Sequence, residues 1–368
     1  MIESSLTIGI EEEYQIIDPE TLELRSYVQQ FLEQGQAVLA DQIRPEFLQS
    51  QVEAGTRICE DIDEAREELT RIRRSIIKLA EDAGLLVAAA GTHPFSSWVK
   101  QRVSPFGRYP ELIRFLQDVG RQLLVFGMHV HIGIEDRELL IDVMNQLRYF
   151  LPHILALSTS SPFWHGRDTG LKSYRSVVFE NLPRTGIPQQ FESYASYRSY
   201  ADTLLATDSI AEPTHIWWDV RPSEKFPTLE IRIPDMCTRL EETLCLVALV
   251  QALAAKLIQL RRANQSWRLY RKHLIDENKW RALRYGIDGK LIDFGKHKEV
   301  TFPHLAKEIL MWVDDVVDDL NSREEIEYAY TMLREGTSAD RQLAIYRETG
   351  DLHAVVERVV EETRDGIA

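Results

Sequence analysis

Cysteine is scarce in this sequence: Cys59, Cys237 and Cys245 are its three, with no C-x-x-C pair among them. So few exclude a disulfide framework and suit a reducing cytosol. The opening residues, Met1 to Ser5, lack the basic stretch and long apolar run of a secretion signal, so a cytoplasmic protein is expected. The longest apolar segment, roughly Leu244 to Ile258, is interrupted by Gln251 and Lys256. It reads as too short and too broken to span a bilayer, and as a buried helix instead. Low-complexity tracts and repeats of about 20–50 residues are missing, which excludes a solenoid. With no Ser/Gly/Pro-rich linker either, residues 1–368 read as one domain with a helical C-terminal portion.

Positive charge is in deficit. Lys and Arg number 43 against 58 Asp and Glu, leaving a formal charge of −15 and a pI near 5.2. That balance repels phosphate backbones and anionic lipid, so neither nucleic acid nor a membrane is an expected partner. An anionic nucleotide would need metal ions or local arginines to be held. No G-x-G-x-x-G occurs, which argues against a Rossmann site. The stretch from Gly166 to Ser173 loosely resembles a P-loop, but three residues rather than four separate its glycines and a leucine precedes the lysine. Phosphate cradling depends on that spacing, so a surface loop is the expectation.

What is present is the composition of an ordinary globular protein, 44% hydrophobic and 27% charged over 368 residues, enough for a stable core. Ile8 to Ile17 alternates and is β-branched, a strand pattern. Asp61 to Ala83 carries apolar residues every three or four positions and stops at Gly84, a helix. Leu85 to Ala90 and Val125 to Ile134 follow as strands, with Asp136 placed to cap the next helix. His215 to Val220 and Thr228 to Ile233 read as neighbouring strands about the turn-forming Pro222 to Pro227. Thr238 with Glu241 suggests a capping box opening a long helix. The order predicts α+β: a largely antiparallel sheet with a polar concave face, backed by helices.

Four of these strands repeat one device. Polar residues stand at i and i+2, on the same face and about 7 Å apart. The pairs are Glu11 and Glu13, His129 and His131, Asp219 and Arg221, and Glu230 and Arg232. Opposite positions are apolar except Glu12, which is expected near an edge. One such pair alone is most simply a solvated face. Together the eight positions hold carboxylates, imidazoles and arginines and no lysine. Carboxylates and neutral imidazole are ligands for Mg²⁺ or Mn²⁺, and arginine grips carboxylate or phosphate with two prongs. Clustered glutamates also need a cation to ionise together.

At Gly9-Ile10-Glu11-Glu12-Glu13, Gly91-Thr92-His93-Pro94-Phe95, Gly127-Met128-His129-Val130-His131-Ile132-Gly133 and Trp218-Asp219-Val220-Arg221-Pro222-Ser223, the sequence resembles the glutamate–cysteine ligase type 2 family, in its carboxylate–amine ligase branch. Arg284-Tyr285-Gly286 is a further match. Glu11-x-Glu13, Gly127 to His131 and Leu229-Glu230-Ile231-Arg232-Ile233-Pro234-Asp235 are also similar to glutamine synthetase segments, implying a glutamine synthetase-like catalytic fold.

The resemblance implies that Glu11, His129 and Glu230 hold a metal bridging nucleotide phosphates, with Glu13 and Glu53 at a second metal. It implies His131 on the nucleotide side and Arg232 on the transferring phosphoryl group or substrate carboxylate. Arg175 and Arg221 are implied substrate or phosphate contacts, and Glu180 is not counted as a ligand. The activity implied is an ATP-dependent ligase acting on amino-acid substrates, glutamate with cysteine or another amine, in a homodimer. Two rivals stand beside it: a metal-dependent hydrolase, which the paired arginines disfavour, and a non-catalytic nucleotide- or metal-binding protein on a ligase fold. His93, His153 and His165 are expected to be structural, Trp217 and Trp218 to pack, and Cys59 to be an inert buried thiol. The acidic run Asp314 to Asp319 is expected to be a solvated helix face.

Overall fold

Alternating β-branched segments need partners for both faces and both edges, and here they find them in one sheet. The computed structural model describes residues 4–107 and 109–367, so Met1 to Glu3 of the segment read for a secretion signal lie outside it. The strands, in chain order, are β1 (Ile8–Ile17), β2 (Ile43–Pro45), β3 (Gln51–Gly55), β4 (Leu86–Ala88), β5 (Met128–Gly133), β6 (Val220–Pro222) and β7 (Thr228–Ile231). Across the sheet they run β6-β7-β5-β1-β3-β2, with β4 against the last residues of β1. Every pairing is antiparallel, as the alternation predicts.

Helices referred to below are α1 (Ile62–Asp82), α2 (Tyr109–Leu116), α3 (Arg137–Leu147), α4 (Tyr174–Phe179), α5 (Leu240–Arg262) and α6 (Lys272–Tyr285). α1 starts where the sequence indicates: Asp61 accepts from Glu64 N at 2.9 Å, and Ile62, Ala65, Leu69, Ile72 and Ile76 are buried in one stripe. α1 and α5 cover the back of the sheet, against Ile8, Ile10, Tyr14 and Ile16 of β1 and Val130 and Ile132 of β5. Each such buried side chain stabilises the fold by about 1.5–3 kcal/mol. Asp136 caps α3, accepting from Glu138 N and Leu139 N.

Several expectations change. The α5 box is one residue on: Glu242 accepts from Arg239 N at 3.1 Å, while Thr238 Oγ1 donates to Ala89 O and Glu241 pairs with Arg66. The apolar segment is not too short, because α5 spans 23 residues and by length and composition alone could cross a membrane. Its residues from Leu244 to Ala254 are buried inside the protein, which accounts for their character without a bilayer.

Glu12 is not at an edge. β1 is a central strand, and Glu12 lies fully buried on the helix-packed face. It is tolerated there because Arg73 of α1, equally buried, forks onto it, with Nε–Oε2 at 3.0 Å and a second contact through Nη2. Thr243 of α5 and the Tyr14 hydroxyl also donate to it. The stretch from His215 to Val220 is broken as well. Trp217–Trp218 pairs in parallel with Thr185–Gly186, and Asp219 N donates to Gly186 O at 2.9 Å. That detour takes Asp219 out of the alternation on which its placement depended.

Candidate active site

The polar face is assembled by register. Glu13 stands across from Glu53, Glu11 from His129, His131 from Glu230, and Glu230 from Arg221. Gly9 opposes His131 and Gly55 opposes Glu11, so no side chain competes for the space above those two. The result is a cavity of about 310 Å³ in which Glu11, Glu13, Glu53, His129, His131, Arg175, Arg221, Glu230 and Arg232 all line the wall. Every residue put forward for the site is therefore in one place. Asp219, the remaining member of the four pairs, is not: its carboxylate is buried against Lys279 Nζ at 2.7 Å, and Glu180 binds the same ammonium.

One donor atom from each of Glu11, His131 and Glu230 lies within 4.8 Å of the others, close enough to share an ion. The imidazole in this trio is His131, where the resemblance implied His129, because His131 is the direct cross-strand partner of Glu230. His129 instead stands between the two acidic groups, with Nδ1 3.1 Å from Glu11 and Nε2 4.0 Å from Glu13. His131 Nδ1 is bound to Thr228 Oγ1 at 3.0 Å, while its Nε2 is buried without a hydrogen-bond partner. Buried polar atoms are rarely left so.

Charge is unevenly distributed. Burial raises the Glu11 carboxyl, but the hydrogen bond with His129 and the nearby His131 imidazole, its Nε2 3.8 Å from Oε2, outweigh it and hold the group well below its ordinary range. Glu230 is likewise held low against its burial, by Arg221 (Nε–Oε2 2.8 Å) and Arg232. Burial, then the nearby Glu46, pushes Glu13 up to about 8. Burial, then Glu11, Glu46 and Glu13, raises Glu53 well above the usual value. Burial, then the Arg232 charge, takes His129 down to about 4, so its imidazole is neutral at ordinary pH.

The arginines differ in what they have left to offer. Arg221 is fully engaged, by Glu230 and by the carbonyls of Thr214 and Ile216 at 2.7 Å. Arg175 and Arg232 each keep a buried Nε with no partner. Arg175 is fixed by the Ile233 and Arg232 carbonyls, both at 3.2 Å, and stands 4.0 Å from Asp235. Asp235 in turn accepts from Ser160 N, Ser161 Oγ and Ser173 Oγ.

This packing explains two glycines. A Cβ on Gly127 would sit 2.3 Å from Arg175 Nη2, and one on Gly91 would sit 2.9 Å from Asp235 Cγ. Sequence reasoning missed Glu46, which lines the cavity from the loop between β2 and β3 and is held by Tyr109. It follows no strand alternation, so only its closeness to Glu53 in the chain could have hinted at it. His93 and Cys59 are structural as expected: His93 binds Leu22 O and accepts from Ser96 N, and burial pushes the Cys59 thiol up to about 11.

Comparison with known proteins gives this arrangement its class. Residues 7–362 match the family described as glutamate-cysteine ligase family 2. A Herpetosiphon aurantiacus protein named "Putative glutamate--cysteine ligase 2" is 55% identical over 361 residues, 98% of this chain and 94% of its own length. A protein of the same name from Solibacter usitatus is 50% identical, covering 100% and 95%. Among solved structures, glutamate–cysteine ligase of Francisella tularensis in complex with AMP aligns with a TM-score of 0.73 at 14% identity, covering 100% of this chain and 90% of that one. A bifunctional glutathione synthetase of Pasteurella multocida gives 0.68 at 14%, over 98% and 53%. The class is that of ligases forming carbon–nitrogen bonds. The chain belongs to glutamate–cysteine ligase family 2.

Proposed function

We propose that this protein uses ATP to join an amino-acid carboxylate to an amine, with glutamate and cysteine as the first pair to test. One observation carries the reading: donor atoms of Glu11, His131 and Glu230 converge within 4.8 Å, beside the facing carboxylates Glu13 and Glu53 and the arginines Arg175 and Arg232 that line the same cavity. The printed names of the relatives support it. Because one apolar cluster draws on residues from Ile8 to Ile367, the whole chain is taken to act as a single catalytic unit.

A carboxylate is a poor electrophile, since its charge repels nucleophiles and oxide does not leave. Transfer of the ATP γ-phosphoryl group to a carboxylate oxygen gives an acyl phosphate and ADP. The amine nitrogen then bonds to the acyl carbon, the C–O bond to phosphate breaks with its electron pair, and the nitrogen gives up a proton. Such chemistry asks a protein mainly for positioning and for opposite charge.

The residues fit a divalent cation. Their donors are carboxylates and imidazole, His131 Nε2 has no hydrogen-bond partner, and Glu13 and Glu53 are both raised by burial and by neighbouring carboxylates, a penalty that a cation would relieve. Glu11, His131 and Glu230 would hold one Mg²⁺ or Mn²⁺, and Glu13 and Glu53 a second, joined by Glu46, with His129 standing between the two groups. Bound there, the cations neutralise phosphate oxygens. Arg232, next to Glu230, would offer its free Nε to the transferring group, and Arg175 to a substrate carboxylate. Arg221 serves by clamping Glu230. Thr228 Oγ1, 3.0 Å from Nδ1, holds the His131 ring in place.

The test is ADP release with ATP, Mg²⁺ and glutamate, with and without an amine, with product masses recorded. Amide product that requires both substrates is expected. ADP release that needs no amine, or nucleotide binding without turnover over a broad panel, would overturn the reading.

A further inference from the structure

A buried lysine behind the cavity binds two acids that the chemistry above leaves unused. Lys279 lies on α6, with its ammonium 2.7 Å from Asp219 Oδ2 and 2.7 Å from Glu180 Oε1. Lys279 and Asp219 are both buried, whereas the Glu180 side chain is 45% exposed. Such a pair adds little net stability, because desolvation offsets the Coulomb gain. Its consequence lies in what the two acids are attached to.

Asp219 is joined by its main chain to the cavity wall. Its carbonyl accepts from Arg232 N at 2.8 Å, and the Arg232 carbonyl accepts in turn from Arg175 Nη2 at 3.2 Å. Glu180 closes α4, the helix that carries Arg175, and its N–H donates to Ser176 O at 3.0 Å. One turn along α6 from Lys279, the Leu283 carbonyl accepts from Lys172 N at 2.8 Å and from Ser173 N at 3.0 Å. Ser173 is the residue that caps the start of α4, accepting from Ser176 N. α6 therefore grips α4 at both ends, and through Asp219 it also grips the main chain of Arg232. Both arginines of the cavity that keep an unpartnered Nε are thus anchored to one helix, and Lys279 is the side chain common to the two anchors.

Resting on the roles given to Arg175 and Arg232 in the ligase reading above, we propose that Lys279 is a positioning residue for the ligation. It touches no substrate; it fixes Asp219 and Glu180, and so the main chain that supports both guanidinium groups. A lysine that only balanced buried charge would become dispensable once that charge was removed. A lysine that sets the position of the arginines would not.

The experiment measures ADP release with ATP, Mg²⁺, glutamate and cysteine beside urea unfolding, on the full chain and three variants. Lys279→Met should lower kcat/KM for glutamate by ~10²-fold or more, the cost of a displacement of about 1 Å in groups that bind the reacting atoms. Lys279→Met with Asp219→Leu replaces the buried pair by apolar side chains and should return the urea midpoint close to that of the unaltered chain. Its kcat/KM should nevertheless stay at least ~10-fold low. Glu180→Ala, at a half-exposed position, covers the case in which Lys279→Met does not fold: its turnover should fall severalfold with the urea midpoint unchanged. Unaltered turnover in Lys279→Met, turnover that recovers together with stability in the double variant, or, where Lys279→Met does not fold, unaltered turnover in Glu180→Ala would overturn the inference and leave the ligase reading intact. An unaltered chain that releases no ADP with any pair of carboxylate and amine would defeat the ligase reading, and the inference with it.

Discussion

Replacing Arg73 with methionine should be among the most damaging single changes outside the cavity. Arg73 and Glu12 are both fully buried, and Arg73 also donates to Thr238 O (2.8 Å), Cys237 O (3.2 Å) and Thr243 Oγ1 (3.0 Å). Methionine fills similar space but leaves Glu12 with only the Tyr14 and Thr243 hydroxyls. Breaking a buried pair from one side costs about 3–5 kcal/mol. Neutralising a carboxylate at pH 7 against an ordinary value near 4.3 costs about 3.7 kcal/mol, which puts the escape route in the same range. The sign follows: in the variant the carboxylate's folded value is raised above the unfolded one, so the loss grows as pH rises. Urea unfolding should therefore show a penalty of about 4 kcal/mol at pH 7 and about 1–2 kcal/mol at pH 5. Adding Glu12→Leu should recover most of it. A penalty under about 1 kcal/mol, equal at both pH values, would refute the reasoning.

Four further outcomes are expected. Glu11→Gln should leave thermal unfolding intact and cut kcat by ~10²-fold or more, and Glu230→Gln should cut it as far while also lowering thermal stability, because it uncouples the buried Arg221 and Arg232 charges; wild-type turnover in both would remove the cation role. Gly127→Ala, which drives a methyl into Arg175, should lower kcat/KM by about 10- to 100-fold, and an unmoved Arg175 in the variant's crystal structure would contradict that account. Burial holds His93 at about 3 and His153 at about 4, below the usual 6.5. Their contribution is thus complete above the unfolded value and lost as pH falls toward those values, so His153→Phe should flatten the decline in urea midpoint over that interval. Glu13, at about 8, carries a proton at pH 7 that cation binding must displace, and burial and neighbouring carboxylates raise Glu53 in the same direction. Mg²⁺ titration calorimetry should show release of about one proton or more, read as a dependence on buffer ionisation enthalpy; heats that ignore the buffer would contradict it.

Arg221 shows how far local pattern reaches. Its place on the polar face follows from alternation with Val220 and Pro222, yet its three nitrogens are committed to Glu230 and to the carbonyls of Thr214 and Ile216. The sequence presents a phosphate-binding guanidinium, and the fold uses it as a clamp. Glu12 is the converse: by alternation an anomaly, in the structure a central buried anion neutralised by a helix 61 residues away in the chain.

By itself the sequence determined which side chains share a face. A strand's period of two places Glu11 with Glu13 and His129 with His131 whatever the strand pairs with, and the 3.6 period does the same for the apolar stripe of α1. Those are short-range consequences of backbone geometry. Strand order, register and the helices laid against them were decided only in three dimensions. They select His131 beside Glu230, bring Glu46 to the rim and tie Asp219 to Lys279. Each is a contact between residues distant in sequence, fixed by the packing free energy of the whole core, and no local periodicity encodes it.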